Sequence, residues 1–155
     1  ITTTYGVGEI IKDALDKNCS KIILTIGGSS TNDGGTGILQ ALGVNFLDSN
    51  NNPLTLGGGS LKKLSSIDIS NIDKRLLNTD FKVACDVNNP LYGENGASKI
   101  YGPQKGASKN DVQLLDSGLA RLADITSRFL MQNLFPALTL FLTYLTLKIS
   151  LNKLI

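Results

Sequence analysis

The sequence predicts an α/β fold from two kinds of hydrophobic pattern. Residues 21–26 are mostly apolar without polar alternation, and residues 81–86 have the pattern of a second buried strand that ends in an acid. Such runs are typical of strands covered on both faces, as in the centre of a parallel sheet. Residues 7–18 and 109–124 instead repeat apolar side chains at helical spacing. A glycine-rich loop at 27–35 follows the first strand.

The composition is that of a globular chain and excludes several classes of function. The 155 residues suffice for a core, and 41% are hydrophobic and 18% charged. A net charge of +2, without a basic cluster interleaved with aromatics, does not indicate nucleic-acid binding. Histidine is absent and Cys19 and Cys85 lie far apart, which removes the usual zinc sites and any histidine-based triad. A reduced, cytoplasmic setting follows as the simplest expectation.

The first half of the chain reads as a helix, a strand, a loop and a helix. The threonines at 2–4 precede the helix at 7–18, and we expect them to serve in capping or turns, with substrate contact as the alternative. The strand at 21–26 leads into the glycine loop and then a helix over 35–42, which Gly43 ends. The remaining predictions are short strands at 44–47 and 67–69, a turn at 48–53, a structural glycine cluster at 57–60 and a helical turn at 73–77.

The second half contains a strand, a long loop and a helix. The strand at 81–86 is followed by a polar loop over 87–107, whose length is unusual unless the loop is functional. The helix at 109–124 begins with Ser108 and Asp111 spaced as in a capping box.

The glycine loop at 27–35 concentrates groups that bind anions. Its glycines let the backbone approach a ligand, and exposed N–H groups, with the N-terminus of the next helix, form an anion site. No Gly-Lys-[Ser/Thr] follows at Walker A spacing, and Gln40 occupies the third glycine position of a dinucleotide fingerprint. Both common nucleotide loops are therefore excluded.

Asp33, the strand-end Asp86 and Lys105 supply further groups that phosphoryl transfer needs. A carboxylate can bind Mg²⁺ or accept the proton of the acceptor hydroxyl, and a cation can neutralise phosphate. Asp86 could equally cap the next turn. The residues alone fit a kinase and also a module that binds a sugar or an acid.

The C-terminal tail differs in composition from the rest of the chain. All 16 glycines lie at or before Gly118 and all 13 acidic residues at or before Asp124, while residues 129–147 carry no charge. We expect a boundary between a region at 1–124 and a divergent or frameshifted apolar tail at 125–155. A buried helix and a membrane segment are the alternatives. The polar residues within the apolar run disfavour the membrane segment.

Four segments form an ordered set of motifs: residues 2–9 (TTTYGVGE), 26–35 (IGGSSTNDGG), 83–91 (VACDVNNPL), and 96–98 (GAS) with 101–107 (YGPQKGA). In this order and spacing they resemble the bacterial class I glycerate kinases. The resemblance covers residues 1 to about 124. It implies the central portion of a longer, two-domain α/β kinase with flavodoxin-like and restriction-endonuclease-like domains.

The resemblance also implies an activity, its cofactors and a set of site residues. The family phosphorylates D-glycerate with ATP and Mg²⁺; a remnant without turnover and a membrane-tethered protein that binds a small acid are the alternatives. Asp33 and Asp86 are expected as Mg²⁺ ligands or as the base, and Lys105 as the cation. The residues expected to bind phosphate or the glycerate carboxylate are Gly27, Gly28, Ser29, Ser30, Thr31 and Asn32. Nucleic acid is not an expected partner, and the resemblance does not decide which anion the loop binds.

Overall fold

The computed structural model describes residues 2–85 and 87–132, and its elements alternate between helix and strand. The helices and strands are, in chain order, α1 (Tyr5–Asp16), β1 (Lys21–Thr25), α2 (Thr36–Ala41), β2 (Asn45–Leu47), β3 (Ser66–Asp68), β4 (Asp80–Ala84), α3 (Ala97–Tyr101) and α4 (Lys109–Gln132). Short 3₁₀ helices lie at Gly58–Lys63, Lys74–Asn78 and Pro103–Lys105. The predicted α/β class is confirmed.

Strands β1 and β4 pair in parallel, with Thr25 opposite Ala84 at their carboxyl ends. The expectation that both strands are buried on both faces is wrong. Burial alternates along each strand, and Ile23 on the outer face is 63% exposed whereas Leu24 packs against the core. Within the described residues each of these strands has one partner strand. The side chains of β1 are apolar on both faces of the sheet, but only one of these faces is covered.

The core lies between α2, the antiparallel pair β2–β3 and α4. Leu39, Phe46 and Leu122 are at most 1% exposed there. Helix α4 packs against the 3₁₀ helix at Gly58–Lys63, where Leu61 is buried. Helix α2 ends before Gly43, whose φ of 94° lies in the left-handed region, as the predicted glycine stop requires.

The long loop predicted at 87–107 contains helical structure. It holds α3 and the 3₁₀ helix Pro103–Lys105, so the expectation of an irregular loop is wrong for residues 97–105. These helices are too short to show a hydrophobic period, and α3 is held by packing against α4. The turn predicted at 73–77 is confirmed as the 3₁₀ helix Lys74–Asn78, with Asp73 accepting a hydrogen bond from the Arg75 N–H.

Helix α4 begins at the predicted capping box and continues past the predicted boundary. The Asp111 N–H donates to Ser108 Oγ at 3.2 Å, and the Ser108 N–H donates to Asp111 Oδ2 at 2.9 Å. The helix runs to Gln132, with Ile125 and Thr126 buried. The division at residue 124 stays a prediction, because most of the tail, residues 133–155, lies outside the described residues. No helix within the described ranges has the length and apolarity needed to cross a bilayer.

Candidate active site

The glycine loop leaves the sheet at the carboxyl end of β1, as predicted. The Ile26 N–H donates to the Ala84 carbonyl at 3.3 Å, so the loop begins where β1 and β4 end side by side. Gly27 and Gly28 are exposed, and a Cβ at either position would meet nothing within 4 Å. Gly28 adopts a φ of 70°. The backbone there is open to a ligand.

Lys105 closes one side of this loop. Its Nζ donates to Ser29 Oγ at 3.0 Å and to the Thr31 carbonyl at 2.8 Å, across more than 70 residues of sequence. Burial lowers the pKa of Lys105 below its usual value, and the negative charge of Asp33 opposes that shift. The predicted cation and the predicted anion loop therefore belong to one site.

Asn32 fixes the middle of the loop to α3. Its Nδ2 donates to Ser98 Oγ at 3.0 Å, and Ser98 is fully buried. Gly58 lies so close to the Asn32 carbonyl that a Cβ at position 58 would clash with it. The glycine cluster that sequence reasoning assigned to structure alone thus supports the loop from behind.

Asp33 is buried at 1% exposure and accepts four hydrogen bonds. Its Oδ2 accepts from the Thr4 N–H at 2.8 Å, Thr4 Oγ1 at 2.9 Å and Thr3 Oγ1 at 3.3 Å. Its Oδ1 accepts from the Gly35 N–H at 3.2 Å. A carboxylate oxygen offers about two lone pairs, so Oδ1 is the oxygen with acceptor capacity left for a ligand.

Three N–H groups at the N-terminus of α2, those of Gly35, Thr36 and Ile38, donate within the protein. The Thr36 N–H donates to the Asp33 carbonyl at 3.1 Å, and the Ile38 N–H donates to Thr4 Oγ1 at 3.1 Å. Together with the Gly35 contact, these bonds use N–H groups that were expected to face a ligand. The open loop around Gly27 and Gly28 and the Lys105 ammonium are the remaining candidates to bind an anion.

A cavity of about 500 Å³ joins the loop to its surroundings. It brings together all but two of the predicted site residues: Gly27, Gly28, Ser29, Thr31, Asn32, Asp33 and Lys105. Ser30 is exposed and is not among the residues that line the cavity. The predicted Asp86 lies outside the described residues, although Ala84, where β4 ends, pairs with Thr25 beside the loop.

Sequence reasoning did not single out several residues that build the cavity. Tyr101 donates its hydroxyl hydrogen to Asn89 Oδ1 at 2.6 Å, and both side chains line the cavity with Gln104. Ser98 and Thr4 act through Asn32 and Asp33. All five lie inside segments outside the loop that resemble the glycerate kinases, and Thr4 lies in the first of these segments. Motif membership was the available signal, since a lone polar residue has no period to mark it.

Metal binding within the described part of the chain would depend on few ligands. No group of three or more His, Cys, Asp or Glu side chains is placed there to hold an ion. Mg²⁺ does not need such a cage, because it commonly binds through one or two carboxylates together with phosphate oxygens and water.

The fold and the site define an α/β protein with a polar, glycine-rich cavity at the carboxyl ends of parallel strands. The model of the Glycerate kinase family matches residues 1–137. The chain is 53% identical over 128 residues to the glycerate kinase of Haemophilus influenzae and 51% identical over 130 residues to the glycerate 2-kinase of Escherichia coli K12. These alignments cover 83% and 84% of the chain and 34% of each relative.

A solved structure gives the same result. A crystal structure described as glycerate kinase 2 from Salmonella typhimurium LT2 superposes with a TM-score of 0.81 at 50% identity, covering 84% of the chain and 35% of that structure. The chain therefore belongs to the glycerate kinase family. It spans about a third of the length of the curated relatives it matches.

Proposed function

We propose that the chain takes part in the ATP-dependent phosphorylation of D-glycerate to a phosphoglycerate. The observation that carries the proposal is the contact of Lys105 with Ser29 and Thr31, which sets a cation against an open glycine loop in a cavity. The names of its relatives support the same activity. A divergent remnant without turnover would not need to keep this long-range arrangement.

Phosphoryl transfer depends mainly on position and on charge neutralisation. The loop N–H groups around Gly27 and Gly28 would donate to anionic oxygens, and Lys105 would neutralise their charge. Asn32 holds the loop in place through Ser98. The anion is either an ATP phosphate or the glycerate carboxylate. Both present the oxygen acceptors that this site can bind.

Mg²⁺ belongs to the proposal with Asp33 and Asp86 as its ligands, or with one of them as the base for the acceptor hydroxyl. When bound, Mg²⁺ would neutralise phosphate charge. The Oδ1 atom of Asp33 has acceptor capacity left and the residue lines the cavity, which fits this role. A reduced, cytoplasmic setting is also proposed, in keeping with two cysteines that are both free.

The test is a coupled assay of ADP release with ATP, Mg²⁺ and D-glycerate. We expect ADP release that requires D-glycerate. The Escherichia coli glycerate 2-kinase serves as the positive control, and circular dichroism establishes that the chain is folded. The proposal fails for this chain if the folded protein releases no glycerate-dependent ADP while the control enzyme does.

A further inference from the structure

We infer that Thr4 is a positioning residue that holds the Asp33 carboxylate and the first turn of α2 in their working geometry. The inference rests on the proposed function for its catalytic consequence. Its structural part stands on the contacts of Thr4 alone.

Thr4 contacts Asp33 twice and α2 once. Its N–H and its Oγ1–H donate to the same carboxylate oxygen, Asp33 Oδ2, at 2.8 and 2.9 Å. Its Oγ1 then accepts from the Ile38 N–H at 3.1 Å. One hydroxyl therefore donates to the carboxylate and caps the third residue of α2 from another element.

The expected capping and turn roles of the threonines at 2–4 are found for Thr3 and Thr4, but the helix that Thr4 caps is not the one that follows it. Thr4 occupies the N-cap position of α1, yet its side chain makes no cap hydrogen bond there. Thr3 does serve a local turn, since its Oγ1 accepts from the Tyr5 N–H at 3.3 Å. The capping hydroxyl of Thr4 belongs to α2 rather than to its own helix.

The packing of α1 on α2 leaves Thr4 little freedom to move. A Cβ at Gly37 would lie 2.6 Å from the Tyr5 backbone nitrogen, and one at Gly8 would lie 2.6 Å from Ala41 Cβ. The two helices approach closely at these glycines, so the threonine hydroxyl meets Asp33 and Ile38 at fixed distances. Loss of a partner that orients a metal-binding side chain typically lowers metal affinity or activity by about 10- to 100-fold.

The matched experiment compares Thr4→Val, which removes the hydroxyl at similar volume, with Thr4→Ser, which keeps it. Thr126→Val is the control, because Thr126 is fully buried and its Oγ1 has no hydrogen-bond partner. All variants are assayed below their melting temperatures. We expect Thr4→Val to lower kcat by roughly tenfold to a hundredfold with little change in either KM, as misplacement of a reacting group does. Thr4→Ser should recover most of kcat, and Thr126→Val should match the parent.

Equal kcat in Thr4→Val and the parent would overturn the inference, and so would equal losses in Thr4→Val and Thr4→Ser. Amide hydrogen exchange separates this result from a failure of the proposed function. If the parent shows no glycerate-dependent turnover, Thr4→Val must still raise the exchange rate of the Ile38 amide by about tenfold. That increase corresponds to losing the net stabilisation of one hydrogen bond. Thr126→Val must not do so, and unchanged exchange in Thr4→Val contradicts the inference.

Discussion

Two charged side chains, Lys105 and Asp33, set the electrostatics of the candidate site. Asp33 is satisfied by hydroxyl and N–H donors, whereas Lys105 donates to a hydroxyl and a carbonyl that carry no formal charge. Burial lowers the pKa of Lys105, and the charge of Asp33 opposes this. Among the described residues Lys105 forms no ion pair, and an incoming anion would supply its charge partner.

Lys105→Gln is expected to weaken the binding of ATP or inorganic phosphate by roughly tenfold to a hundredfold, the range for loss of one hydrogen bond to a charged group. Isothermal titration calorimetry at pH 7 measures it. The matched control is Lys99→Gln, because Lys99 is exposed on α3. An equal loss of affinity in both variants would show that overall charge, not the Lys105 contact, governs binding.

The same lysine makes binding and stability depend on pH in opposite directions. Its folded pKa lies below 10.5, the unfolded value, so the unfolded chain holds more protons between these two pH values. As the pH is raised through that window, the anion affinity of the parent should fall, at a lower pH than for a lysine with an ordinary pKa. Over the same rise in pH, the free energy of unfolding of the parent should increase relative to that of Lys105→Gln.

At the scale of elements, α4 shows how a local motif fixes a helix end. Ser108 and Asp111 exchange hydrogen bonds, and those from Ser108 lower the pKa of the Asp111 carboxyl. Their spacing is visible in the sequence because the motif spans four residues. The N-terminus of α2, where Thr4 supplies the cap, uses a residue more than 30 positions away and has no such local signal.

Ser108→Ala should lower the free energy of unfolding by about 1 kcal/mol at pH 7, because an N-terminal cap is lost. Urea denaturation measures it, with Ser117→Ala in the same helix as the control. Ser117 Oγ donates to the Leu114 carbonyl within the helix and caps nothing, so its removal should cost less. The folded pKa of Asp111 lies below 3.8, so the difference between the parent and Ser108→Ala should shrink as pH falls through that lower pKa. A constant difference would exclude the capping box as its cause.

At the scale of the whole molecule, the described residues form a core on one side of the β1–β4 pair. Leu122 is fully buried and lies against Gly34, while Ile23 is exposed on the other face of the pair. The glycine loop therefore rests on a packed core from below. The outer face of β1 contributes little burial within the described residues.

Leu122→Ala should lower the free energy of unfolding by about 2–5 kcal/mol, because it leaves a cavity in the core. Ile23→Ala should change it by no more than about 0.5 kcal/mol, as expected for an exposed position. Chemical denaturation of both variants measures the difference. A comparable loss in Ile23→Ala would mean that the outer face of β1 is covered, contrary to its observed exposure.

The sequence by itself determined the elements whose signals are local and periodic. The helical spacing in α1 and α4, the glycine stop after α2 and the capping box at Ser108 all depend on residues within a few positions of one another. The four motif segments identified the family and nominated the loop and Lys105. Sequence reasoning overestimated burial of β1, because an apolar run does not show which of its faces a neighbour covers.

Only the tertiary structure decided which polar groups meet. Lys105 reaches Ser29, Asn32 reaches Ser98 and Thr4 reaches Asp33 across 29 to 76 residues of sequence. It also showed that the Gly35 and Ile38 N–H groups at the start of α2 donate to Asp33 and Thr4. Hydrogen bonds between distant residues depend on how the elements pack, and packing has no period in the chain. That is why the sequence could not show that N–H groups at the start of α2 donate within the protein, and the anion site itself stays a prediction.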